Sequence, residues 1–116
     1  MNLLIVEDNP DMRRLIKSVV EDLAESICEC SDGAQALEAF NKQQPDWVLM
    51  DLQMREVDGL VATREIKSAD PAARVIILTD YDDEHLREAA RVAGACEYVV
   101  KENLNEIRRL LQSRPI

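Results

Sequence analysis

Several short apolar runs of this chain end in residues that can bind a cation or handle a phosphoryl group. Glu7-Asp8 follow the run Leu3 to Val6, Asp51 follows Trp47 to Met50, Thr79 follows Val75 to Leu78, and Lys101 follows Tyr98 to Val100. Three carboxylates gathered at one edge repel one another and cost stability unless a cation sits among them or some take up protons. Oxygen ligands from one or two carboxylates, completed by water and phosphate, suit Mg²⁺. A carboxylate can also attack phosphorus and give an acyl phosphate. Such a transfer needs charge neutralisation and alignment, which a divalent ion, a Lys ammonium and a hydroxyl donor supply. Taken singly, each residue has an ordinary explanation: an acidic pair after a strand usually opens a loop or caps a helix, and a lone Thr or Lys means less. The signal lies in the set, because each of these ends carries a suitable type.

The elements that must position these residues are legible in the spacing of the apolar side chains. The runs are too short for helices and do not alternate, which is the pattern of strands buried on both faces of a parallel sheet. Ile27 to Cys30 is a fifth, weaker run. Between the runs, apolar residues recur at helical spacing. Met12, Leu15/Ile16, Val19/Val20 and Leu23 follow the cap-and-start pair Asn9-Pro10; Ala36, Leu37 and Phe40 follow Asp32-Gly33. Gly59, Ala62 and Ile66 mark a third helix, Leu86, Ala89/Ala90 and Ala93 a fourth, and Leu104, Ile107 and Leu111 a fifth. A β-α unit repeated five times, with right-handed crossovers, predicts a three-layer, doubly wound α/β domain. For five strands the flavodoxin-like order 2-1-3-4-5 is the commoner choice and is the order expected here. Ligands of such sheets bind outside the carboxyl ends of the strands, where the crossover direction reverses. Those are the ends occupied by the acidic residues, Thr79 and Lys101.

The 116 residues suffice for one domain, expected over 1–116, without linker, repeat or low-complexity stretch. No run approaches the ~20 apolar residues that span a bilayer. The N-terminus has no basic region and no small-residue cleavage site, so the cytoplasm is the expected compartment. A net charge of −9, from 23 acidic against 14 basic residues, repels phosphate backbones and anionic lipid, so neither direct nucleic-acid nor membrane binding is expected. Cys28, Cys30 and Cys96 have no metal-ligand rhythm and read as reduced, mostly buried thiols, while His85 reads as a surface residue off the apolar stripe of the fourth helix. Trp47, opening the third strand, is expected to report on the site by fluorescence.

The chain resembles the receiver domains of two-component response regulators over essentially its whole length. The resemblance is carried by Leu4-Ile5-Val6-Glu7-Asp8, Asp32-Gly33, Met50-Asp51-Leu52-Gln53-Met54 with Asp58-Gly59, Leu78-Thr79 and Tyr98-Val99-Val100-Lys101. It implies that Asp51 accepts a phosphoryl group from a sensor histidine kinase or phosphotransfer protein. It further implies that Asp8, Asp51 and the Gln53 backbone carbonyl hold Mg²⁺, with Glu7 acting through water, and that Lys101 pairs with a phosphoryl oxygen. Thr79 would take another oxygen and, in moving inward, let Tyr98 swing from exposed to buried. The face formed by the fourth helix, fifth strand and fifth helix would then change its affinity for a partner, a second copy included.

Three positions depart from the family pattern. Arg55 and Glu102 stand where prolines are usual, although the subgroup with helix-turn-helix outputs often lacks the second. Asp80 stands where Ala, Ser or Gly is usual and either crowds the phosphate with bulk and negative charge or points to solvent and caps the fourth helix. Three functional readings follow. The first is a phosphoacceptor switch that is not a turnover enzyme; the second, supported chiefly by Asp80, is a receiver that docks or dimerises without phosphorylation. The third is an aspartyl-nucleophile phosphatase, but such enzymes typically carry a second Asp two residues after the nucleophile, and here that position is Gln53. A flavin or nucleotide carrier lacks its glycine-rich loop among only 3 glycines.

Overall fold

The structure, a computed structural model, describes residues 1–113; the last three residues of the domain expected over 1–116 lie outside the described residues. Strands β1 (Asn2–Val6), β2 (Ser26–Cys30), β3 (Trp47–Asp51), β4 (Val75–Thr79) and β5 (Glu97–Val100) alternate with helices α1 (Pro10–Val20), α2 (Ala36–Gln43), α3 (Gly59–Ala69), α4 (Glu84–Ala93) and α5 (Asn105–Ser113). The strands form one sheet in the order β2-β1-β3-β4-β5, with every neighbouring pair parallel. The doubly wound, flavodoxin-like α/β architecture and its strand order therefore agree with the sequence reading. Among the described residues no helix is long and apolar enough to cross a membrane.

Each buried strand supplies two cores, because successive side chains point to opposite faces. Leu3, Ile5, Trp47, Leu49, Ile76, Leu78 and Val99 pack with Ile16 and Val20 of α1 and Ile107, Leu110 and Leu111 of α5. Leu4, Val6, Val48, Met50, Val75 and Ile77 pack on the other side with Phe40 of α2, Ala62 and Ile66 of α3 and Ala90 of α4. Removing a side chain as large as Ile5 or Ile77 from water stabilises the fold by about 1.5–3 kcal/mol. Both faces of β3 and β4 are fully used, which explains why their sequences run apolar without alternation.

The helices begin where short polar side chains can accept the free backbone N–H groups of a first turn. Asn9 caps α1, with Pro10 at its start; Asp58 caps α3; Asp83 caps α4. Asp83, not Asp80, thus starts the fourth helix, which removes the capping explanation of Asp80. Before α2, Asp32 caps a short 3₁₀ turn, Gly33–Gln35. Trp47 needs a second correction: it is fully buried, but it opens β3 at the end opposite Asp51, so four residues of extended strand, roughly 13 Å, separate them.

Candidate functional site

At the carboxyl edge of the sheet, Glu7, Asp8, Asn9, Met12, Asp51, Gln53, Thr79, Asp80 and Lys101 line a cleft of about 210 Å³. Every site residue expected from the sequence except Tyr98 lines it. Glu7 continues beyond β1 with its backbone N–H donating to the Cys30 carbonyl at 3.0 Å, and Asp51 is the last residue of β3. Each has the strand parity of the α1/α5 face, shared with Ile5 and Leu49 respectively. Both carboxylates are consequently buried, at 1% and 3% exposure.

One ammonium joins them. Lys101 Nζ lies 2.8 Å from Glu7 Oε1 and 2.8 Å from Asp51 Oδ1, and its side chain is 9% exposed. The other Glu7 oxygen accepts from the Asn9 backbone N–H at 3.2 Å. Burial pushes the Asp51 carboxyl up to about 7; the Glu7 charge pushes the same way, and Lys101 opposes both. Desolvation lowers the Lys101 pKa, but its hydrogen bonds and charge attraction to Asp51 and Glu7 outweigh that and leave it raised.

Glu7, Asp8 and Asp51 each offer an oxygen, all within 4.8 Å of one another. Lys101 neutralises one charge of this trio, so the site retains a negative excess that a hard cation with oxygen preference would relieve. A donor set of carboxylates alone fits Mg²⁺ and does not suit soft metals. Asp8 is only half-buried, so an ion there keeps access to water.

The loop after β3 is held close by a glycine. Gly59 donates its backbone N–H to the Leu52 carbonyl at 2.8 Å, and a Cβ at this position would stand 2.1 Å from the Asp51 carbonyl oxygen. Only a residue without a side chain lets α3 begin this near the phosphoacceptor candidate.

Thr79 and Tyr98 lie on the opposite face, with the parity of Ile77, to which Tyr98 is paired across β4 and β5. Thr79 Oγ1 accepts from the Tyr81 backbone N–H at 3.3 Å. The half-buried Tyr98 donates its hydroxyl to the Tyr81 carbonyl at 2.6 Å, and the Arg87 guanidinium covers its ring at 4.5 Å. Burial raises the phenol pKa, with Arg87 and the Thr79 side-chain hydrogen bond acting against it. The segment Thr79–Tyr81 is therefore a direct physical link between the cleft and the Tyr98 ring.

Other residues stand as expected or add to the site. Arg13, missed in the sequence, donates from Nη1 to the Glu7 carbonyl at 2.8 Å and pairs with Glu29 of β2 at 3.3 Å. Its position one turn into α1 was the only available signal, since an arginine there is equally consistent with a solvated helix face. Cys30 is buried and Cys28 and Cys96 are half-buried, all three as free thiols; burial first, then the Cys28 and Asp32 charges, push the Cys30 thiol up to about 11. His85 is exposed on α4, and Arg55 is exposed in the loop after β3.

Comparison with known proteins places this geometry. Residues 3–112 match the family described as response regulator receiver domain. The chain is 39% identical over 100 residues to the chemotaxis protein CheY of Bacillus subtilis, covering 85% of this chain and 83% of that one. Among solved structures, the response regulator TrrA of Thermotoga maritima, in complex with Mg²⁺ and a beryllium fluoride, superposes with a TM-score of 0.86 at 31% identity, covering 97% of this chain and 96% of that chain. A LuxR-family response regulator from Aurantimonas sp. SI85-9A1 superposes with a TM-score of 0.89 at 29% identity, covering 97% of this chain and 82% of that one.

Proposed function

The chain belongs to the response regulator receiver family, and on that premise we propose that it is a switch operated by phosphorylation of Asp51. The observation that carries this reading is the Lys101 ammonium, 2.8 Å from both Glu7 and Asp51 in a cleft at the carboxyl edge of the sheet. An Asp51 oxygen forms a bond to phosphorus as the bond from phosphorus to the donor's imidazole nitrogen breaks, and the leaving imidazole takes up a proton. Lys101 is free to exchange a carboxylate oxygen for a phosphoryl oxygen, and the Thr79 hydroxyl can donate to another.

Asp8, Asp51 and the Gln53 backbone carbonyl are the residues that would hold Mg²⁺, with Glu7 acting through water. The ion, when bound, supplies neutralisation of the charge that accumulates on the phosphoryl oxygens. Asp51 is a phosphoacceptor in this reading, not a turnover catalyst. The donor is a sensor histidine kinase or phosphotransfer protein, and the output surface is the α4-β5-α5 face, on which Tyr98 and Arg87 stand and where a second copy can dock.

Intact-mass measurement after exposure to a small phosphodonor with Mg²⁺ tests the assignment. Wild type should gain one phosphoryl mass, labile to base and hydroxylamine, and Asp51→Asn should not. Equal labelling of Asp51→Asn would overturn it. Equal partner binding by phosphorylated and unmodified protein would favour a phosphorylation-independent docking module instead.

A further inference from the structure

The segment from Asp80 to Asp83 carries three aspartates, and two of them are engaged. Asp82 Oδ1 accepts from Arg87 Nε and Nη2 at 3.2 and 3.0 Å, and Asp83 accepts the Leu86 backbone N–H at 2.9 Å to cap α4. The Asp80 carboxylate is exposed, lines the cleft, and has no hydrogen bond or ion pair among the described residues. The cleft lining therefore contains the carboxylates of Glu7, Asp8, Asp51 and Asp80 against one ammonium, that of Lys101. Glu7, Asp8 and Asp51 are gathered closely enough to share a cation, but Asp80 stands outside that group. No ion pair joins it to Lys101, which is engaged by Glu7 and Asp51.

We propose that Asp80 is a specificity-determining residue for phosphoryl entry, its rim charge disfavouring free dianionic phosphodonors and favouring a donor that brings a cationic group beside its phosphoryl group. This rests on Asp51 being the phosphoacceptor. An exposed carboxylate acts on an approaching anion through water, so the effect falls on association rate and is screened by salt, over roughly 30 Å at 0.01 M and about 8 Å at 0.15 M. For a dianion passing within several ångströms, the Coulomb energy corresponds to about a three- to tenfold change in rate at low salt. A donor protein with a Lys or Arg next to its phosphorylated group turns the same charge into an attraction.

The test measures phosphorylation rates at saturating Mg²⁺ across a range of ionic strength, for wild type, Asp80→Asn, Asp80→Lys and Asp80→Ala. Two probes differ in charge: acetyl phosphate, a dianion at neutral pH, and phosphoramidate, which carries less net negative charge there. Asp80→Asn should raise the low-salt acetyl phosphate rate about three- to tenfold, Asp80→Lys further, and both should flatten its salt dependence. The phosphoramidate rate should change less. An Asp80→Asn rate equal to wild type overturns the proposal, and so does acceleration by Asp80→Ala without acceleration by Asp80→Asn, which would assign the effect to bulk. If wild type itself gains no phosphoryl group, the Asp51 reading fails and this inference fails with it; once wild type is labelled, the Asp80 series alone decides.

Discussion

Lys101 holds Glu7 and Asp51 at the same distance, 2.8 Å from each, so a single positive charge is shared between two buried carboxylates. The sharing leaves Asp51 underneutralised: burial pushes it up to about 7 and the Glu7 charge adds to that, even with the ammonium opposing. A proton, a divalent cation or a substitution can each supply the missing compensation.

In the absence of divalent cations, Asp51 makes stability fall as pH rises from about 4 toward about 7, because its pKa is raised from 3.8 to about 7 in the folded state. Across that window the folded chain retains a proton that the unfolded chain has released, so unfolding becomes easier with rising pH, and the trend levels above the folded value. The contribution is on the order of a few kcal/mol. Urea denaturation with a chelator, near both ends of the window, should show wild type losing stability relative to Asp51→Asn. Parallel pH profiles for the two proteins would refute it.

Mg²⁺ should stabilise the folded chain by mass action, about 2.7 kcal/mol when present at a hundredfold excess over its dissociation constant. Thermal unfolding should shift upward with Mg²⁺ in wild type and much less in Asp8→Asn, which removes the most solvent-accessible oxygen donor of the Glu7, Asp8 and Asp51 group. An unchanged wild-type Tm would argue against a cation site in this cleft.

Thr79→Ala should separate phosphorylation from output. The Thr79 hydroxyl accepts from the Tyr81 N–H, and the Tyr81 carbonyl holds the Tyr98 hydroxyl, so its loss breaks the link without removing Asp51. Phosphorylation can shift the ring only through its differential contacts with the two states. The variant should still take up the phosphoryl group yet fail to change its association state in sedimentation. Full dimerisation of the phosphorylated variant would contradict this, and an unresponsive wild type would direct the output to a different partner protein.

Gly59→Ala should both destabilise the fold and slow phosphorylation. Its Cβ would stand 2.1 Å from the Asp51 carbonyl oxygen, a backbone atom that cannot move without displacing the Asp51 side chain. A cost of about 3 kcal/mol is expected from overpacking of this severity. Denaturant titration together with the labelling rate checks it; a variant as stable and as fast as wild type would show that the loop yields freely.

Much of this molecule is legible in one dimension. Unalternated apolar runs identify the strands because β3 and β4 are buried on both faces, and Asn9-Pro10 marks the start of α1 because a short polar side chain satisfies free N–H groups. Glu7, Asp8, Asp51, Thr79 and Lys101 are recognisable as a set because parallel strands place their carboxyl ends at one edge. The fourth helix shows where this reading runs out: Asp80, Asp82 and Asp83 are equivalent as residue types, and the backbone path after β4 selects Asp83 as the cap, pairs Asp82 with Arg87 and leaves Asp80 at the rim of the cleft.

Residue types and spacing thus determined the elements, their succession along the chain and the chemistry available at the strand ends. Only the tertiary structure decided how charge is divided there. Lys101 follows β5, which lies two strands, roughly 10 Å, from β3. No local sequence signal specifies which of the cleft carboxylates its ammonium reaches. The meeting of Lys101 with Glu7 and Asp51 follows from strand order and burial, because the parity that sets Ile5 and Leu49 on the α1/α5 face also carries those two carboxylates out of water, where each needs a positive partner.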